Sequence, residues 1–189
     1  MPYAVTLRLD ATMAASVEAM WRALAAAGLH DDSLALGYPP HLTLTILPDG
    51  ADASRLAATV VDCAAAWTAI DLNPAGLGLF VAPEPVLYLA PVPTAALIGC
   101  HHDLAAALGD QPTDPHYRRG AWVPHVTLAK GNAARDPGWT GRALDCLRPL
   151  CTALRPGRAD RLDLVHFRPV TVLHSHPLPD GVAPCAPSV

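Results

Sequence analysis

The chain has 189 residues, 51% of them hydrophobic, and a formal net charge of −4. That length suits one domain or a compact pair of lobes sharing a core, and the acidic balance argues against an extended grip on a nucleic-acid backbone, though not against recognition of one nucleotide or one RNA end. No apolar run reaches the length of a membrane span, and the N-terminus enters a strand pattern directly, so neither a membrane segment nor a secretion signal is expected.

Tyr3 to Leu9 alternates apolar and polar residues, the mark of a half-buried strand. Asp10 or Thr12 can cap a helix over 13–27, with Val17, Met20, Trp21 and Leu24 on one stripe and Gly28 ending it. Residues 29–40 read as loop and deliver His41 to a strand running to Leu47. A turn at Pro48-Asp49-Gly50 leads to a second helix over 52–67. Ile70 to Phe80 and Val86 to Ala90 read as two strands of a hairpin. Thr94 caps a third helix over 95–108, ended by Gly109. A polar loop over 110–121 precedes a strand over 123–129, and a fourth helix covers 139–153. Strands over 161–167 and 170–175 flank Arg168-Pro169, and residues 179–189 form a Pro-rich tail outside the domain of residues 1–178. Five cysteines without zinc-site spacing fit reduced thiols in a cytoplasmic protein.

Two of these strands carry nearly the same five residues, Pro40-His41-Leu42-Thr43-Leu44 and Pro124-His125-Val126-Thr127-Leu128. Side chains two apart on a strand share a face, so each copy presents an imidazole and a hydroxyl together. His-x-Thr alone is a weak signal, but a second Pro-His-aliphatic-Thr-Leu arises by chance on the order of once per several hundred such chains. The copies lie 84 positions apart, from 41 to 125, inside matching runs of strand, helix, motif strand, helix and strand. An internal duplication of this kind predicts an α+β fold of two lobes. Two antiparallel sheets would be related by a pseudo-twofold axis, with helices outside and the motif strands adjacent across a central cleft.

The paired motifs resemble the signature of the two-histidine (2H) phosphoesterase superfamily, and within it the 2'-5' RNA ligase and RNA 2',3'-cyclic phosphodiesterase group. Gly76 to Phe80 with Val86 to Leu89 is similar to that family's mid-chain hairpin, and Asp163 to Val165 with Val170 to Leu173 to its final strands. The likeness covers about residues 3–178. Where many relatives have an aromatic-Arg-Pro lead into the second motif, this chain has Trp122-Val123-Pro124, which turns attention to other cations. The resemblance implies His41 as acid on the leaving oxygen and His125 as base on water.

Two imidazoles with ordinary pKa near 6.5 can supply the acid and the base for opening a cyclic phosphodiester, with no metal or other cofactor. The hydroxyls of Thr43 and Thr127 would donate to the non-bridging oxygens. Lys130, the only lysine, together with Tyr117, Arg118 and Arg119 are the candidates for gripping substrate. On a regular strand, however, Lys130 falls on the face opposite His125 and Thr127. His174 and His176 could chelate a metal from one face, but no third ligand lies near in sequence, and a surface strand end is the simpler reading. The expected protein is a cytoplasmic, monomeric phosphodiesterase acting on a nucleotide or RNA terminus, away from membranes. The alternatives are a non-catalytic nucleotide- or RNA-end-binding protein and a metal hydrolase built on the scattered histidines.

Overall fold

The computed structural model describes residues 2–30, 32–167 and 169–181. Most of the Pro-rich tail, with Cys185, and Arg168 lie outside them. The other four cysteines are free thiols. Among the described residues, no helix is long and apolar enough to cross a membrane.

Strand β1 (Tyr3–Leu9) is followed by helix α1 (Ala11–Ala26), the short helix α2 (Asp32–Ala35) and strand β2 (His41–Leu47). Helix α3 (Ala53–Ala66) leads to β3 (Ile70–Leu72), β4 (Pro74–Phe80) and β5 (Val86–Pro91). Helix α4 (Ala95–Leu108), a 3-10 turn at Pro115–Tyr117, β6 (Val126–Lys130) and α5 (Trp139–Cys151) come next. Strands β7 (Gly157–His166) and β8 (Thr171–Pro177) close the fold.

Local chemistry explains most boundaries. The Asp10 carboxylate, rather than Thr12, accepts from Met13 N at 2.8 Å and starts α1 two residues earlier than the apolar stripe suggests. Asp52 caps α3 and Thr94 caps α4 in the same manner. The 29–40 segment, expected as loop throughout, contains α2.

The strands form two antiparallel sheets, β2-β1-β7-β3 with β8 also on β7, and β4-β5-β6. Ile70 to Phe80, expected as one strand, is two strands in two sheets: β3 pairs with β7, and β4 pairs with β5. The break falls at Asn73, because Pro74 has no N–H for the ladder and restricts the residue before it. This break carries the chain from one lobe to the other. Strand β4 follows α3 of the first repeat yet pairs with β5 of the second, while β7 follows α5 of the second repeat and pairs with β1 of the first. Each lobe thus borrows its third strand from the other. One cluster of fully buried residues, including Leu7, Leu42, Leu44, Leu87, Leu128 and Leu164, runs through both sheets.

The two motif strands are edge strands of their own sheets, and β2 lies against β6. Edge strands leave backbone groups without ladder partners, and two indoles meet that need. Trp21 Nε1 on α1 donates to the Thr127 carbonyl at 3.1 Å, and Trp122 Nε1 donates to the Thr43 carbonyl at 3.0 Å.

Candidate active site

On β2, Leu42 and Leu44 are fully buried while His41 and Thr43 face the other way, half-buried. On β6, Val126 and Leu128 are buried and Thr127 faces outward. The alternation then breaks at the same place in both repeats. In β2 the register passes from Thr43 to Thr45, skipping Leu44; in β6 it passes from Thr127 to Ala129, skipping Leu128. Each skip is a β-bulge, which turns two successive residues to one face. Leu44 with Thr45, and Leu128 with Ala129, are all buried. The next residues, Ile46 and Lys130, return to the face of the histidines and threonines. Lys130 therefore lines the same cleft as Thr127, where a regular strand would have turned it away.

That cleft, about 210 Å³, is lined by His41, Thr43, Tyr117, Thr127 and Lys130, with His30 and Tyr38 on its wall. His125 lies close enough to disfavour the proton on His41. The two imidazoles are held alike. His41 Nδ1 donates to the Pro39 carbonyl at 2.9 Å, and His125 Nδ1 donates to the Val123 carbonyl at 2.8 Å. Each carbonyl can only accept, so the proton of the neutral ring sits on Nδ1 and the lone pair on Nε2. Burial, the larger cause, lowers the pKa of both histidines from 6.5. Beyond burial, Asp163 favours the proton on His41, whereas Lys130 disfavours it on His125.

The rings are also packed. Tyr38 lies 4.7 Å from His41 between centroids, and Phe80 and Tyr88 wall His125 at 4.9 and 5.5 Å. Tyr88 crosses directly over Gly78, where any Cβ would collide with its ring. Behind His41 lies a buried polar network. Asp163, 0% exposed, accepts at Oδ2 from Arg8 Nε at 2.9 Å, Arg8 Nη2 at 2.6 Å and the Tyr38 hydroxyl at 2.7 Å. The Tyr38 hydroxyl also bonds the Thr6 hydroxyl at 2.7 Å, and burial pushes its pKa up. Tyr38 thus packs and bonds inside the protein.

Tyr117 and Lys130 reach the cleft; Arg118 and Arg119 do not. Both arginines line an adjoining cavity of about 540 Å³ between α4 and the loop after it. Arg119 Nη2 donates to the His102 carbonyl. Tyr117 borders both cavities, its hydroxyl bonded to the Thr43 side chain. Burial pushes the Tyr117 pKa up to about 12. His101 is a support for this loop: its Nε2 donates to the Tyr117 carbonyl at 2.8 Å and its ring stacks on Trp122 at 4.1 Å.

Sequence reasoning missed Arg8, Asp163 and His30. Asp163 had a readable signal, a carboxylate between Leu162 and Leu164 in a strand buried on both faces. His30 receives the Lys130 backbone N–H at Nδ1, 3.4 Å away, a contact made only by the tertiary fold. Among the described residues, no three His, Cys, Asp or Glu side chains converge as metal ligands. His174 and His176 stack on each other at 6.2 Å on β8.

A duplicated α+β fold with one His-x-Thr edge strand from each repeat on a shared cleft is the architecture of a two-histidine phosphoesterase. The profile of the 2'-5' RNA ligase superfamily matches residues 11–168, and the chain belongs to that superfamily. Two solved structures share the fold, both of Usb1 from Kluyveromyces marxianus. One has a TM-score of 0.54 at 16% identity, covering 94% of this chain and 98% of Usb1. The other, Usb1 with uridine monophosphate, has a TM-score of 0.53 at 16% identity over the same shares. A search of curated proteins finds no match.

Proposed function

We propose that the chain is a metal-independent phosphodiesterase that opens 2',3'-cyclic phosphates at RNA ends or on small nucleotides, or acts on 2'-5' linkages. The observation that carries this reading is the pair of imidazoles, each locked through Nδ1 to a backbone carbonyl: His41 lines the cleft at the start of β2, and His125 stands immediately before β6, near enough to act on the charge of His41, while Thr127 of β6 lines the same cleft. A phosphodiester seated between them meets one Nε2 on the attacking side and one on the leaving side. His125 Nε2 takes the proton of a water as its oxygen bonds to phosphorus. The P–O bond to one ribose oxygen breaks, and His41 Nε2–H protonates that oxygen, leaving a phosphomonoester.

The local charges support this division of labour. Asp163 favours protonation of His41, the acid, against smaller opposing contributions from His125 and Arg8, and Lys130 favours the neutral form of His125, the base. The phosphodiester anion itself favours the proton on a ring that burial biases toward the neutral form. Thr43, Thr127 and Lys130 stabilise the charge that builds on the non-bridging oxygens. That Usb1, of the same fold, has been seen with uridine monophosphate supports a nucleotide as the ligand class.

The test is a substrate panel with and without EDTA: 2',3'-cyclic mononucleotides, RNA with a terminal cyclic phosphate, and 2'-5' oligonucleotides. Hydrolysis insensitive to EDTA is expected on at least one of them. Tight binding without turnover would favour a binding protein, and loss of activity in EDTA would favour a metal hydrolase.

A further inference from the structure

Thr43 is held at its carbonyl and at its hydroxyl, and the two holds meet at one histidine behind the cleft. Trp122 Nε1 donates to the Thr43 carbonyl at 3.0 Å, and the Trp122 ring stacks on His101 at 4.1 Å with 4° between the planes. His101, 2% exposed on α4, donates from Nε2 to the Tyr117 carbonyl at 2.8 Å. The Tyr117 side chain returns to the cleft and meets the Thr43 hydroxyl. These contacts form a closed circuit from Thr43 through Trp122, His101 and Tyr117 back to Thr43. A backbone bond from Asp114 N to the Ile46 carbonyl, 2.9 Å, ties the turn that carries Tyr117 to β2 as well. The second repeat keeps only part of this. Trp21 Nε1 donates to the Thr127 carbonyl at 3.1 Å. Tyr88 stands opposite Thr127 on β5, but its ring turns over Gly78 and packs against Phe80 and His125.

We infer that Tyr117 is a positioning residue that acts through Thr43: its O–H donates to Thr43 Oγ1 and so aims the Thr43 hydroxyl hydrogen at a non-bridging oxygen of the phosphate. A hydroxyl has one hydrogen to give and two sites that accept. With the phenol filling an acceptor site, the hydrogen of Thr43 has the phosphate as its partner. The two O–H groups then polarise each other in one direction as charge builds on the phosphate oxygens. Burial pushes the Tyr117 pKa up to about 12, so the phenol keeps its hydrogen near neutral pH. This role needs the hydroxyl of Tyr117, whereas stacking on a base would need only its ring. The inference rests on the phosphodiesterase reading above.

Tyr117→Phe in the full chain tests it, because the ring stays and the hydroxyl goes. On a 2',3'-cyclic mononucleotide, kcat is expected to fall about tenfold while KM stays within about threefold. In a Thr43→Val background the same substitution should change kcat by less than about twofold, since the phenol then has no hydroxyl to aim. Thermal unfolding of each variant shows that the fold is kept. An active unmodified protein with full kcat in Tyr117→Phe would overturn this inference and leave the phosphodiesterase reading standing. A tenfold loss repeated in the Thr43→Val background would also overturn it, by putting the phenol on the substrate itself. No hydrolysis by the unmodified protein would overturn the phosphodiesterase reading and the inference with it.

Discussion

Lys130 stands in the second repeat where Ile46 stands in the first. Both follow a β-bulge at the same place, and both face the cleft. The two repeats therefore match in their imidazoles and hydroxyls, but the cleft takes its lysine from the second repeat and a carboxylate, Asp32, from the first. Lys130→Met should lower kcat/KM on a cyclic phosphodiester by about tenfold, mainly through KM. Because Lys130 holds the His125 pKa down, its removal should also move the acid limb of the profile to higher pH. Steady-state kinetics over a pH range checks both effects.

Burial lowers the pKa of both histidines from 6.5. One must be protonated and one neutral, so kcat/KM should form a bell whose maximum lies below pH 6.5. Folding follows the same sign. The folded state binds these protons less readily than the unfolded chain, so stability is fully present above about pH 6.5 and declines as pH falls below it. Thermal unfolding at pH 7.5 and pH 5.5 measures this; a higher Tm at the lower pH would contradict it.

The Trp122 indole reaches the carbonyl of Thr43 across the interface of the two sheets. Trp122→Phe keeps an aromatic ring against His101 but leaves that carbonyl without its donor. The expected loss of stability is about 1–3 kcal/mol, the usual cost of an unsatisfied buried polar group, read from urea unfolding.

Asp163 ties Arg8 and Tyr38 together behind His41. Asp163→Asn removes the charge that Arg8 faces and should destabilise the protein by about 3 kcal/mol or more, as breaking a buried ion pair does. In the folded fraction His41 loses a charge that favours its protonation, so the basic limb of kcat/KM should move to lower pH. Tyr38→Phe keeps the carboxylate and should cost about 1 kcal/mol with a smaller shift of that limb.

That His41 and Thr43 share one face of β2, and that Thr127 turns from the buried face of β6, was readable because strand parity is a local rule and the motif occurs twice. The caps at Asp10 and Thr94 were readable for the same reason: a short polar side chain acts within one turn. The exchange of β4 and β7 between lobes was not readable, since it depends on which edge a strand finds after Asn73. The bulges at Leu44 and Leu128 were equally hidden. Nothing in Leu-Thr-Leu-Thr or Val-Thr-Leu-Ala announces an extra residue, yet the bulge decides that Lys130 enters the cleft. Arg118 and Arg119 adjoin the second motif in sequence, but the turn at Pro115–Tyr117 points them to the neighbouring cavity.

The most direct test of the account is hydrolysis of a 2',3'-cyclic phosphate by His41→Ala and His125→Ala, compared with the unmodified protein. Each substitution removes one of the two proton-transfer groups and should lower kcat by at least about a hundredfold with the fold intact. Near-unchanged hydrolysis by either folded variant would contradict the two-imidazole mechanism.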